Sequence, residues 1–166
     1  MQATMRILGC LDGTNAEQIG HAAQMFSATE PLTIALLTVI DMGPREDIDR
    51  MRGRFLRPPM GHHRALTKEM LEAETAAAQE TLKAGLHYVK NAETLVRQGR
   101  PELEIVNAAA EWRAEVIVIC ASAEYGQPPH IGPRSVGHVA RFVLDHAPCP
   151  VLMVRQLARE QFPIDR

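Results

Sequence analysis

Three places in the chain combine residue types that suit the binding of a small ligand. They are Asp12-Gly13-Thr14, Val39-Ile40-Asp41 and the stretch that begins at Cys120. Each comes at the end of a short apolar run that predicts a β-strand. The Asp12 carboxylate can accept hydrogen bonds from ribose hydroxyls or from the amino group of a base. Backbone groups near Val39 can frame a planar base. These residue types predict a binding site of the nucleotide kind.

The sequence does not point to an enzyme. It has no GxSxG, HExxH or P-loop motif, and no GxGxxG after the first predicted strand. His62, His63 and His130 could suggest a metal site, but no carboxylate or cysteine stands at ligand spacing beside His62 and His63. A solvated loop is therefore the preferred interpretation of these histidines, and no metal is expected.

Composition restricts the class of protein. A length of 166 residues predicts one domain that is large enough to bury a hydrophobic core. The formal net charge of −2 argues against a general nucleic-acid binder, which usually has an excess of basic residues. No run of about 18 apolar residues predicts a membrane span. Cys10, Cys120 and Cys149 are too scattered for a disulfide framework, and no signal peptide is visible. Cys10 and Cys120 are either a redox pair or, more usually, small buried hydrophobes. We expect a reduced, cytoplasmic protein.

The elements that must position these residues alternate between strands and helices. Helical periodicity, a Thr14/Glu17 capping box and Pro101 at a helix start predict the helices. Nearly continuous apolar strands that alternate with helices predict an α/β fold, a doubly wound parallel sheet with helices on both faces. The predicted strands are residues 6–11, 33–40, 93–97, 116–120 and 151–154. The first predicted helix covers residues 15–27, and the second runs from Leu66 to Tyr88 through Met70, Ala73, Ala77 and Ala84. The third begins at Pro101 and has Leu103, Val106 and Ala110 on one face. The fourth has an apolar stripe formed by Val136, Val139, Ala140, Val143 and Leu144.

One domain over residues 1–157 accounts for all of these elements, followed by a tail at 158–166. Residues 41–64 form a long irregular arm rich in proline and arginine. Between Arg50 and Arg64 the arm has arginines and no acidic residue, so it is either a solvated surface segment or a site for a phosphate or an acidic partner.

The order of these motifs resembles the universal stress protein family. Residues 11–14 (LDGT) resemble that family's V-D-G-S, residues 37–41 (LTVID) its L-H-V-V-D/E, and residues 99–101 (GRP) its G-x-P turn. Most specific is the run 137–154, GHVARFVLDHAPCPVLMV, which is similar to G-S-V-x-x-x-V-L-x-x-A-P-C-P-V-L-V-V without a gap. The resemblance implies a Rossmann-like fold of the adenine nucleotide alpha hydrolase type. It also implies a five-stranded sheet of order 3-2-1-4-5 and a homodimer formed through the last strand, Val151–Val154.

The resemblance also implies a degenerate ATP-binding loop. In the family, an intact G-x-x-G-x9-G-S/T loop after the fourth strand accompanies ATP binding. Here Cys120 and Ala123 stand at the first two glycines, and Gly137-His138 at the final G-S/T. Three prolines between them, Pro128, Pro129 and Pro133, offer no N–H group to a phosphate. Arg134 and Ser135 stand beside the predicted helix N-terminus, where an anion could bind. An anion site with a shifted alignment of this loop therefore remains an alternative.

Two functions follow from the sequence, and a third, weak ATP hydrolysis, ranks last because it needs a metal and an ordered triphosphate loop. The first is a non-catalytic stress-response or regulatory homodimer that acts on an unidentified protein partner, without ATP. The second is a sensor that binds ATP or AMP. Its candidate binding residues are Asp12, Gly13, Thr14, Val39, Cys120, Ala123, Arg134, Ser135, Gly137 and His138.

Overall fold

The computed structural model describes residues 4–26, 31–42, 62–121 and 136–155, with the side chains of 62–67 left out. The strands are β1 (Met5–Leu11), β2 (Leu32–Asp41), β3 (Glu93–Gly99), β4 (Val116–Cys120) and β5 (Val151–Val154). The helices in this part of the chain are α1 (Ala16–Gln24), α2 (His62–Tyr88), α3 (Pro101–Glu111) and α4 (His138–His146). All strand pairs are parallel, and the sheet has the order β3-β2-β1-β4-β5. The predicted α/β fold and strand order are confirmed.

The sheet separates two hydrophobic clusters, because successive residues of a strand point to opposite faces. On one face, Leu8, Cys10 and Ile119 pack with residues of α3 and α4. On the other face, Ile7, Leu11, Val118 and Cys120 pack with residues of α1 and α2. Helices therefore cover both faces, as predicted. Cys10 and Cys120 lie on neighbouring strands, but they belong to opposite clusters, which does not fit a redox pair.

The start of α1 differs from the prediction. The helix covers Ala16–Gln24, with Asn15 rather than Thr14 as the residue before it. The predicted capping box is therefore wrong. The Thr14 hydroxyl donates to the Asp12 carboxylate at 2.9 Å, so it is engaged in the preceding turn and does not cap the helix.

The buried sides of α2 and α3 also differ from the predicted periodicity. In α3 the buried residues are Glu102, Ile105, Ala108 and Ala109, while Leu103 is exposed. Acidic side chains usually face solvent, but the ionic partners Arg100 and His138 allow Glu102 to be buried. In α2, Met70, Ala73, Ala77 and Ala84 lie on the exposed side. The sheet side of α2 is formed by Ala78, Leu82 and Gly85, continued by Val89 after the helix.

The boundaries of β2, α2 and α4 differ from the predicted ones. Asp41 ends β2 and α2 begins at His62, so both ends of the predicted arm 41–64 belong to regular elements; residues 43–61, including most of the arginines, lie outside the described part of the chain. The helix predicted from Val136 begins at His138, and Leu144 is exposed rather than part of the apolar stripe. Among the described residues, no helix combines the length and apolar character needed to cross a membrane.

Candidate functional site

The turn after β1 places the Asp12 carboxylate at the carboxyl edge of the sheet. Asp12 Oδ1 accepts hydrogen bonds from the Thr14 backbone N–H at 2.8 Å and from the Thr14 hydroxyl at 2.9 Å. Gly13 adopts a φ of +93°, which residues with a Cβ rarely adopt. These contacts fix one carboxylate oxygen of Asp12. Since an ionised carboxylate has about four lone-pair positions, the other oxygen can accept hydrogen bonds from a ligand.

The buried side chain of Asn15 stabilises this turn through hydrogen bonds. Its side chain is 2% exposed, and Oδ1 accepts from the Asp12 backbone N–H at 3.0 Å. Its Nδ2 donates to the Cys10 carbonyl at 3.1 Å. One buried amide thus joins the end of β1 to the turn that carries Asp12.

A pocket of about 280 Å³ opens beside Asp12, close to the lower end of the range for small-molecule sites. It lies at the carboxyl ends of β1, β2 and β4, where the strand order reverses. This is the usual ligand position in an open parallel sheet. Most of the wall is aliphatic, and Asp12 and Asn15 supply its polar side chains. The described lining residues are Cys10, Leu11, Asp12, Asn15, Leu37, Val39, Pro101, Ile105, Ile119, Cys120, Val139 and Ala140.

Two thiols in the pocket wall are held in their neutral form. Burial raises the pKa of Cys10 to about 12, with smaller contributions from Cys120 and Cys149. Burial also raises the pKa of Cys120 to about 11, with the Asn15 hydrogen bond acting in the opposite direction and the Asp12 charge adding to the rise. A thiol is nucleophilic as the thiolate. Cys10 and Cys120 therefore act as apolar wall at neutral pH.

The N-termini of α3 and α4 meet beside the pocket. Gly137 precedes α4 with a φ of +82°, and His138 is the first residue of that helix. The His138 Nε2 atom lies 3.5 Å from Oε1 of Glu102, a residue that is 5% exposed. The guanidinium of Arg100 reaches the same oxygen at 2.7 Å. The three side chains connect the first turns of the two helices.

Glu102 is ionised despite its burial. Burial raises its pKa, but its own backbone N–H, the Arg100 guanidinium and His138 donate to the carboxylate and together bring the pKa below the ordinary value. Glu102 therefore carries a buried negative charge that is paired with Arg100 at the start of α3.

The predicted site residues fall into three groups. Asp12, Val39 and Cys120 line the pocket. Gly13 and Thr14 shape the turn, while Gly137 and His138 form the start of α4. Ala123, Arg134 and Ser135 lie outside the described residues.

Sequence reasoning missed Asn15 and Glu102. Both are polar, and the sequence offers no signal that separates them from solvent-facing residues. Within the described ranges, no group of three or more His, Cys, Asp or Glu side chains could hold a metal ion. The side chains of His62 and His63, and all of His130, lie outside those ranges.

A family model described as the universal stress protein family matches residues 4–155 of this chain. No curated protein matches it significantly. The fold is similar to that of the universal stress protein UspA from Lactobacillus plantarum, with 24% identity and a TM-score of 0.67 over 92% of this chain and 99% of that one.

Two further similar structures contain nucleotides. A universal stress protein family protein from Arabidopsis thaliana with AMP bound is 17% identical, with a TM-score of 0.57 over 96% of this chain and 97% of that one. A universal stress protein in complex with cAMP is also 17% identical, with a TM-score of 0.54 over 93% and 99%. At these identities the likeness shows a shared fold.

Proposed function

We propose, from the premise that this chain belongs to the universal stress protein family, that it is a non-catalytic regulatory protein whose pocket binds the nucleoside part of an adenine nucleotide. The observation that supports this most is the pocket of about 280 Å³ beside Asp12. Its aliphatic walls suit the faces of a planar base, and the free oxygen of Asp12 suits a hydroxyl or amino donor. Of the two functions predicted from the sequence, this geometry favours the nucleotide sensor.

The ligand class comes from the comparison. AMP and cAMP occupy structures of the same fold, and both contain adenosine. A non-catalytic role agrees with the raised pKa values of the two thiols in the wall, which keep them from acting as nucleophiles. The cytoplasmic location stays a prediction.

Ligand-dependent thermal stability tests the proposal. Adenosine, AMP, ADP and ATP are titrated with and without Mg²⁺, and guanosine serves as the base control. Above its Kd, a ligand that binds the native state raises stability logarithmically with concentration. Asp12→Asn keeps an oxygen for Thr14 but removes the charge, and it should weaken adenosine binding about tenfold or more, as expected for a lost hydrogen bond to a charged group.

Asp145→Asn provides the matched control, because Asp145 is exposed in the last turn of α4. It should bind adenosine as the wild type does. Absence of a shift with every adenine compound at millimolar concentration would refute nucleoside binding. An unaltered affinity of the Asp12→Asn variant would show that the ligand occupies another place.

A second function, association through β5, has its own support. β5 is an edge strand, and its four apolar residues are only partly buried. The carbonyls of Pro150 and Val154 accept from Ile117 and Ala121 on the β4 side. Because hydrogen-bonding directions alternate along a strand, the backbone N–H groups of Val151 and Met153 point to the open edge. We infer that two copies pair along this edge to form a homodimer, which would also present the regulatory surface to a protein partner.

A proline substitution in β5 tests whether the dimer depends on backbone hydrogen bonds at the strand edge or on side-chain packing. Met153→Pro removes an outward N–H group and leaves the bonds to β4 in place, so it should convert a dimer to a monomer in sedimentation velocity. Met153→Ala keeps that N–H group and should stay dimeric. A wild type that sediments as a monomer, or a Met153→Pro dimer, would contradict pairing through β5.

A further inference from the structure

The open edge of β5 presents the backbone groups of every second residue. The carbonyls of Pro150 and Val154 accept hydrogen bonds from the β4 side, so these residues and Leu152 direct their backbone polar groups towards β4. Because this direction alternates along a strand, Val151 and Met153 direct both N–H and C=O to the open edge. They are the residues of β5 that can bond a further strand.

Two copies of this edge can pair about a two-fold axis only in the antiparallel direction. An axis along the strands would place identical backbone groups at the same height, so that donors would face donors. An axis perpendicular to the sheet reverses one strand, and residues that face each other then exchange both hydrogen bonds. Each outward residue must therefore face an outward residue of the second copy. Since the outward residues are separated by one position, the axis passes through a residue and not between two residues.

Three registers pair at least one outward residue of β5 with another, and they differ in the bonds that they make. With the axis at Leu152, Val151 faces the partner's Met153 and Met153 faces the partner's Val151, so every outward residue of β5 is bonded. With the axis at Val151 or Met153, that residue faces its own copy, and the other one faces position 149 or 155, both outside β5. The axis at Leu152 therefore gives two hydrogen-bonded pairs of strand residues, and either alternative gives one.

The side chains match in the same register. Residues that face each other across an antiparallel pair point to the same side of the sheet. Val151 and Met153 pack on the side covered by α3 and α4, whereas Leu152 packs on the side covered by α1 and α2. Leu152 therefore meets its own copy on one face, and Val151 meets Met153 on the other. With the axis at Met153, the exposed and charged Arg155 would face Val151 instead.

We propose that two copies of this chain pair through β5 with their two-fold axis at Leu152, so that the five strands of each copy join in one continuous sheet. This inference rests on the proposed association through β5 and specifies the arrangement of that interface. The occupant of the edge is a second copy because the same two outward residues supply donors and acceptors on both sides. β3 is a poorer partner for β5, because its charged side chains disfavour the addition of a strand.

Disulfide cross-linking measures the register directly. All variants are made with Cys149→Ser, which removes the partly buried thiol beside β5, while Cys10 and Cys120 are buried. In a non-hydrogen-bonded antiparallel pair the Cα atoms are about 4.5 Å apart, within the range that a disulfide spans. Under mild air oxidation most of the Leu152→Cys protein should therefore become a disulfide-linked dimer, which non-reducing electrophoresis detects.

Val151→Cys and Met153→Cys are the matched controls. Each alone places its thiol diagonally from its own copy, at about 7–8 Å between Cα atoms, which is too far for an undistorted disulfide. Each should therefore cross-link at least about fivefold more slowly than Leu152→Cys. A mixture of the two proteins brings position 151 against position 153 at about 5.5 Å, so the mixed disulfide should form there. This mixture leaves Leu152 unchanged, so it tests the register even if Leu152→Cys does not fold.

The outcomes separate the register from the association itself. Cross-linking by Val151→Cys or Met153→Cys alone, with little from Leu152→Cys or from the mixture, would overturn the inference and leave association through β5 standing. So would a dimer that Met153→Pro dissociates but that neither Leu152→Cys nor the mixture cross-links. A wild type that sediments as a monomer would overturn both the register and the association.

Discussion

The removal of the Asn15 amide is the most direct test of how the turn at the site is held. Asn15→Ala deletes the acceptor for the Asp12 N–H and the donor for the Cys10 carbonyl. A hydrogen bond contributes about 0.5–1.5 kcal/mol net, and a buried group left without a partner costs about 1–3 kcal/mol. With two bonds lost at a position that is 2% exposed, we expect the free energy of unfolding to fall by about 2–4 kcal/mol. The Asn15 side chain makes no capping bond to α1, so loss of a helix cap is not the cause.

Urea unfolding measures this change through the fluorescence of the single tryptophan, Trp112. Its ring lies 4.1 Å from the Arg6 guanidinium carbon, a contact that unfolding breaks. Asn107→Ala, at an exposed position in α3, makes the same replacement without a buried bond and should change stability by no more than about 0.5 kcal/mol. Asn15→Asp restores the acceptor but places a charge beside Asp12, so it should not rescue. An Asn15→Ala variant within about 0.5 kcal/mol of the wild type, with an unchanged denaturant slope, would refute the proposed role of the amide.

Three further outcomes follow from the same geometry. Gly137→Ala should lower the free energy of unfolding by about 1–3 kcal/mol, because a φ of +82° is strained for alanine; a change near zero in urea unfolding would contradict this. Burial raises the pKa of Cys149 too, but its partial exposure should let it react with a thiol reagent at pH 8 in the native protein, whereas Cys10 and Cys120 should react only at the rate of unfolding; equal rates for all three would show that the wall is open. Glu102 has a lowered pKa in the folded state, so its contribution is present above its ordinary value of 4.5 and disappears as the pH falls through the folded value. The stability difference between wild type and Glu102→Gln in urea should therefore shrink from pH 7 to pH 3, and a difference that is constant with pH would argue against an ionised Glu102.

Much of the sheet could be predicted because the apolar composition of its strands indicates that they are buried on both faces. Val116 to Cys120 is continuously apolar, and all five residues are buried between two helix layers. The strand order was implied by the family resemblance and not by the residues alone.

The helix faces were harder to predict. α2 is rich in alanine, so Ala77 and Ala78 are equally apolar in sequence although only Ala78 is buried. Periodicity cannot choose a side when several sides are apolar. In α3 the buried side includes Glu102, which a hydrophobic pattern assigns to solvent. Its burial depends on Arg100 and on His138 of another helix, and a contact across the fold is not visible in a local pattern.

At the site, residue type indicated Asp12 and Val39 but not the support beneath them. Asn15 resembles any polar turn residue in the sequence, and its role appears only when the turn after β1 folds back on the end of that strand. The sequence placed His138 at the final G-S/T of the loop; the structure adds its contact with Glu102.

The two edges of the sheet are unlike each other, and this has a consequence for polymerisation. β3 carries charged and polar side chains beside the exposed Val96; Arg97 is paired with Glu111, and Glu93 accepts from Trp112 Nε1 at 2.9 Å. Charged side chains at a strand edge discourage pairing with another chain. β5 is apolar. Head-to-tail addition of β5 to β3 would generate an open filament, whereas β5 against β5 closes after two copies. Because the charged side chains of β3 disfavour the addition of another strand, association through β5 would stop at two copies and would not extend into a filament.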